Sequence, residues 1–260
     1  AVDLNESWTM TAALMMQDVE ANGVWDHDPT VGDLKVMRLM PDWSDDEWTQ
    51  TSLKLEGEVF GGTLTATYGD LERDTEQYAD YSLYSDYYVS YGYVEPYYNC
   101  YVSYTGFCGD PREQYTNTTE IDRSTYEIRY VSDQEARLRY MVGYYGVEVD
   151  TASDSDWHVM GLNGQPTAVD APDIYWTTDF VRSYEETAYF GEVSFDVTEA
   201  LTVAASARQF DYEGGLNGFS GTVWWPCGGW GPQGDRPASN YGEDCAPCLL
   251  YTSPSPRDIR

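Results

Sequence analysis

Tyrosine carries the densest chemistry in this chain: eleven stand between Tyr78 and Tyr104, at 78, 81, 84, 87, 88, 91, 93, 97, 98, 101 and 104. A broad ring bearing a hydroxyl can stack on a sugar or a chelate and hydrogen-bond to it. Tyrosines so closely spaced also pack against one another across an extended hairpin. Most are read as packing residues, leaving Tyr97, Tyr98 and Tyr101, beside a Cys100–Cys108 tip, as candidate substrate contacts. Trp224, Trp225 and Trp230, within the glycine-rich segment 214–234, form a second candidate recognition platform, with packing of that loop on itself as the competing role.

Clustered carboxylates come next. Asp26-His27-Asp28, Asp42, Asp45-Asp46-Glu47 and Asp154-Ser155-Asp156 gather hard oxygen ligands of the kind Ca²⁺ takes. None has EF-hand spacing, so solvated carboxylates are the expectation. His27 and His158 are too few for a metal centre. Neither a Gly-x-Ser-x-Gly elbow nor a P-loop occurs, and carboxylate pairs are too abundant to single out a glycosidase-like couple. The chain is therefore read as no enzyme, with no resident cofactor or metal. Its cysteines fall into two local pairs, Cys100 with Cys108 and Cys227 with Cys245, which read as loop disulfides formed in an oxidising compartment. Cys245-Ala-Pro-Cys248 has redox spacing, but Cys248 belongs to a tail of different character.

Composition narrows the partners. The 260 residues carry 45 acidic against 14 basic side chains, a formal charge of −31. No nucleic-acid grip is built from such a chain, because nothing in it replaces the counterions of a phosphate backbone. With 24 Tyr, 9 Trp and 7 Phe it is no disordered acidic tail. No run of 18 apolar residues exists for a spanning helix, but a spanning strand needs only about 9–11 residues with alternate ones apolar.

That alternation recurs along the chain. Apolar residues take every second place in Trp8-Met10-Ala12-Leu14-Met16, in Leu53-Leu55, in Leu64-Ala66-Tyr68 and in Tyr126-Ile128-Tyr130. They do so again in Leu138-Tyr140-Val142-Tyr144, Tyr189-Val193-Phe195-Val197 and Leu201-Val203-Ala205-Ala207. Seven strands are thus predicted, over about 8–17, 48–56, 63–68, 125–130, 137–144, 189–197 and 201–208. The connections at 57–62, 132–136 and 198–200 are tight, whereas 19–47, 74–119, 150–186 and 211 onward are long. The long ones up to residue 247 hold 28 acidic and 5 basic residues, a net of −23. Charge on the strands is expected opposite the apolar face, as for Glu127, Arg129, Arg137, Arg139, Glu192 and Arg208. Short and long connections in alternation, with an apolar outer stripe, describe an antiparallel up-and-down transmembrane β-barrel with short periplasmic turns and long extracellular loops.

Three stretches carry a resemblance. Phe190-Gly191-Glu192-Val193-Ser194-Phe195-Asp196-Val197-Thr198, continuing through Leu201-Thr202 to Arg208, resembles a hairpin in the barrels of TonB-dependent outer-membrane receptors. Thr125-Tyr126-Glu127-Ile128-Arg129-Tyr130-Val131-Ser132 with Arg137-Leu138-Arg139-Tyr140-Met141-Val142-Gly143 resembles another, and Trp48 to Gly57 is similar to a third strand. The likeness covers roughly residues 1–211 and is weakest in the long loops. The string Cys248-Leu249-Leu250-Tyr251-Thr252-Ser253-Pro254-Ser255-Pro256-Arg257-Asp258 resembles an in-frame translation of a transposase-type sequencing adapter. The expected organisation is therefore a partial barrel domain over 1–247, about seven or eight strands of a larger barrel with plug and closing strands missing, and an artefactual tail over 248–260.

The resemblance implies a bacterial outer-membrane receptor of about 22 strands around a plug, energised through the TonB complex and importing a ferric chelate, cobalamin or a glycan. Metal would enter as cargo. Outer-membrane lipid and lipopolysaccharide are the implied surroundings, and a small nutrient or chelate the implied ligand. Two other classes compete: a passive porin-type channel, of about 16–18 strands without a plug, and a secreted, disulfide-bonded β-sandwich binding module, which stays soluble without detergent.

Overall fold

The computed structural model describes residues 1–23, 27–83, 112–160, 173–222 and 248–249. They form one sheet of nine strands in the order β1 to β9, each antiparallel to the next. The strands are β1 (Val2–Asn5), β2 (Trp8–Asn22), β3 (Trp43–Val59), β4 (Gly62–Asp80), β5 (Glu113–Val131), β6 (Leu138–Val159), β7 (Ile174–Thr198), β8 (Leu201–Thr222) and β9 (Cys248–Leu249). The all-β, up-and-down expectation holds, and all seven predicted strands are present as β2 to β8. The sheet is open: β1 and β9 cover only short parts of its two edges. Among the described residues no second layer packs on it, whereas a sandwich buries one sheet against another.

Strand length departs from the expectation. The segments 19–47, 74–119 and 150–186, read from sequence as loops, begin and end as strand, and the last is mostly strand: β6 runs to Val159 and β7 begins at Ile174. The glycine-rich segment from 214 is strand as far as Thr222, and Gly218 lies so close to β7 that an added Cβ would sit 2.1 Å from the Asp179 carbonyl oxygen. The short β1 also escaped the sequence reading. The turns that were read as tight are tight. Phe60 and Gly61, both with positive φ (52° and 77°), make the two-residue link from β3 to β4, the left-handed geometry that matches hairpin twist.

Register fixes which side chains share a face, because cross-strand partners project to the same side. One row is Met10, Leu55, Ala66, Ile128, Tyr144 and Tyr189. The next is Ala12, Leu53, Tyr68, Tyr126, Gly146 and Thr187. We call this the belt face. Away from the tight turns, its apolar run ends on every long strand at a carboxylate: Asp18, Glu47, Asp70, Asp122, Glu148, Glu185 and Asp211. Seven Lys and Arg residues lie in β2 to β8, namely Lys54, Arg73, Arg123, Arg129, Arg139, Arg182 and Arg208, and register places every one on the opposite face.

Candidate functional site

Each sequence-selected contact lies outside the described residues: Tyr97, Tyr98, Tyr101, Trp224, Trp225 and Trp230, and likewise Cys100, Cys108, Cys227 and Cys245. Two tyrosines of the rich segment are described, and both pack across strands. Tyr78 stacks on Trp43 with ring centroids 4.4 Å apart, and Tyr81 meets Tyr115 at 5.8 Å. Cys248 and Leu249, in the tail read as foreign, pair with Gly218 and Asn217 of β8.

The belt face is uncovered. Leu14, Met16, Tyr189 and Val203 are 63%, 71%, 68% and 54% exposed, and Leu53, Ile128, Val142, Val193 and Phe195 are exposed as well. The buried hydrophobic residues Val147, Val159 and Ala188 all register on the opposite face. A sheet that buries so little cannot draw its stability from a core of its own, and an apolar patch of this extent marks a surface that meets another phase or partner. Within the belt, aromatic rings couple neighbouring strands: Tyr126 to Tyr144 at 5.9 Å, Tyr144 to Tyr189 at 4.9 Å, and Tyr130 to Tyr140 at 5.9 Å. They also close over glycines. A Cβ on Gly146 would sit 2.2 Å from the Tyr126 ring, and on the opposite face one on Gly143 would sit the same distance from the Phe190 ring. Glycine is required there by the ring that lies across it.

Near the tight turns the opposite face is ionic. Arg139 grips Asp196 through two bonds of 2.6 and 2.7 Å, and Thr202 donates to the same carboxylate at 2.6 Å. Arg137 reaches the Asp196 and Val197 carbonyls at 2.6 and 3.0 Å and lies over the Phe195 ring. This network ties the β5–β6 turn to the β7–β8 turn. Lys54–Glu56, Arg129–Glu127 and Arg208–Glu186 continue the pattern upward, with Tyr184 donating to Glu186 at 2.6 Å. Glu127, Arg129, Arg139, Glu192 and Arg208 therefore register opposite the apolar stripe as the period placed them, whereas the Arg137 guanidinium lies over the ring of belt-face Phe195.

Farther along the strands stands Arg73–Asp46, joined by bonds of 2.8 and 2.5 Å. The guanidinium hydrogen bond holds Asp46 below the usual carboxylate range and raises Arg73. Beyond it the opposite face changes chemistry. Asn117 donates to Thr119 at 3.0 Å and accepts from Ser155 at 2.7 Å and Ser153 at 3.3 Å. Tyr115 donates to Ser155 at 3.2 Å, and Trp176 donates to Ser220 at 3.0 Å and Thr178 at 3.2 Å. Tyr115 and Trp157 meet at 4.7 Å. Sequence reasoning missed this ladder, because neutral Ser, Thr and Asn give no hydrophobic period.

On the belt face at the same height, carboxylates crowd. Burial raises Asp154, and Asp156 and Asp179 add to the rise. His158, bonded to Thr116 at 3.2 Å, is held below its ordinary value by burial against the pull of Asp156 and Asp173. Among the described residues no group of three or more acidic, His or Cys side chains is placed to hold a metal ion. Asp42 is engaged instead by Arg38 and by the Asp80 backbone N–H. No protein family, curated protein or solved structure matches this chain.

Proposed function

We propose that the chain is a wall segment of an outer-membrane β-barrel belonging to an energy-coupled receptor that imports a scarce nutrient. The observation that carries this reading is the uncovered belt, bounded on each long strand by a carboxylate. On β7 it runs from Val197 to Thr187. Ten residue steps in a strand tilted as in a barrel rise about 25 Å, the height of the lipid-facing band of such proteins. On β7 the first belt-side charge, Glu185, comes beyond that height, on β4 the run is shorter and ends at Asp70, and the cations of β2 to β8 face inward, where a lumen solvates them at little cost. An open sheet does not persist in lipid, because edge N–H and C=O groups need partners; in the parent, further strands join β2 and β8 and close the barrel.

On this reading the tight turns are periplasmic and the long hairpins extracellular. The belt contacts phospholipid and the lipid part of lipopolysaccharide, and the TonB complex acts through a plug elsewhere in the parent. The role is transport, without catalysis. The receptor assignment in particular rests on the resemblance of the hairpins at 125–143 and 190–208. Extending the reading frame in both directions tests it: a plug domain upstream and about 22 strands in all are expected, whereas about 16–18 strands with no plug would make the parent a passive channel.

A further inference from the structure

We infer that the inner face of the strand extension above the belt binds an uncharged, hydroxyl-rich ligand of the saccharide class; this rests on the barrel reading above and names its substrate class. Three successive rows of that face are Thr75-Thr119-Ser153-Phe180-Gly218, Gln77-Asn117-Ser155-Thr178-Ser220 and Ala79-Tyr115-Trp157-Trp176. Not one of these residues is charged. The rows below them are ion-paired, and the belt face at their own height carries Asp74, Glu76, Asp154, Asp156 and Asp179.

The placement is selective in two ways. Tyr115, Trp157 and Trp176 are half-buried, so part of each ring stays open, and an open ring face accepts the C–H side of a pyranose. Beside them, the half-buried Asn117, Thr178 and Ser220 offer hydroxyl and amide groups that both donate and accept, which is what a ligand built of hydroxyls needs, while the buried Ser155 holds the Asn117 amide in place. Among the described residues Asn117 commits one of its two amide hydrogens, to Thr119. An anionic chelate meets one cation beside these rows, Arg182, whose guanidinium lies over the Phe180 ring at 5.7 Å, against the field of a chain carrying −31 charges. A cationic ligand finds one carboxylate there, Asp46 at the β3 end of the first row, and Arg73 already holds it.

The test uses the parent barrel that carries this chain, in detergent micelles or native outer membranes, with maltohexaose and xylohexaose as neutral probes and ferric citrate as the anionic one. Heat-modifiable electrophoretic mobility and protease protection of the strands are measured first; if both are absent, the barrel reading fails and this inference falls with it. With the barrel intact, at least one hexasaccharide should shift tryptophan emission and bind more tightly than ferric citrate. Trp176→Ala should weaken that binding about tenfold, while Trp176→Phe, which keeps a ring, should stay within about threefold. Asn117→Leu should weaken it as well, and Asp122→Asn on the belt face should not. Tighter binding of ferric citrate, no saccharide binding by an intact barrel, or indifference to Trp176→Ala and Asn117→Leu would overturn the assignment.

Discussion

Ile128 and Thr118 occupy the same face of the same strand, ten residues apart, yet they sit in different company. Around Ile128 stand Ala66 and Tyr144; around Thr118 stand Glu76 and Asp154. The backbone is continuous extended structure between them, so the change lies in the side chains and the solvent they suit. Hydrogen bonding builds the ladder throughout, while on the proposed barrel reading burial in lipid constrains composition only in the lower stretch.

The sharpest way to break the comparison is to place one charge at each position. Ile128→Arg should cost about 2–4 kcal/mol of folding stability in membranes, whereas Thr118→Arg, beside two carboxylates in water, should change it by less than about 0.5 kcal/mol. Urea titrations of both variants in lipid vesicles would read the difference, and equal costs would remove the boundary. Next in size is Gly143→Val, which drives a side chain into the Phe190 ring and should cost about 1–3 kcal/mol in the same assay. Gly191, paired with Val142 on the belt face, has more room, with the Met141 carbonyl oxygen at 3.2 Å from an added Cβ, and Gly191→Ala should cost less.

Smaller effects belong to the extension. Arg73→Met should cost less than about 1 kcal/mol, since the Arg73 and Asp46 side chains are 42% and 30% exposed. Because the Asp46 pKa is lowered in the fold, its contribution is present above the ordinary 3.8 and is lost as pH falls through the folded value. A stability titration between pH 6 and pH 2 should lose that sloping part in Arg73→Met. His158 is smaller still. With its folded pKa depressed, the unfolded chain takes up the proton first once pH drops below about 6.5, and the paired ends of β5 and β6 at Gln114 and His158 lose stability. Amide exchange there should quicken between pH 7.5 and 5.5, and His158→Gln should flatten the change. Asp154, raised by burial, contributes with the opposite sign in a lower window.

How much of this was legible in the sequence depended on which solvent each stretch faces. The seven strands were readable wherever one face is apolar and the other polar, as in Tyr126-Glu127-Ile128-Arg129-Tyr130. The same strand continues through Tyr115-Thr116-Asn117-Thr118-Thr119, where both faces meet water and the period carries no contrast. β-Branched and aromatic side chains hold the extended form there, a weaker signal that was read as loop. The ionic positions Arg129, Arg139, Glu192 and Arg208 followed from the period alone. The Asn117–Ser155–Tyr115 ladder did not, since it depends on register between strands forty residues apart in sequence, which alternation within one strand cannot fix. The tip tyrosines and the tryptophans of 224–230 were chosen by density, and they lie outside the described residues.

The most direct measurement asks what touches the belt. Benzoylphenylalanine placed at Val142, exposed at 52% on the belt face, and separately at Thr118, would be photoactivated in native outer membranes and the adducts resolved by mass. The account predicts acyl-chain adducts of phospholipid or lipopolysaccharide from position 142 and none from 118. Adducts from position 142 to another polypeptide layer, or reaction with water alone at both positions, would contradict it.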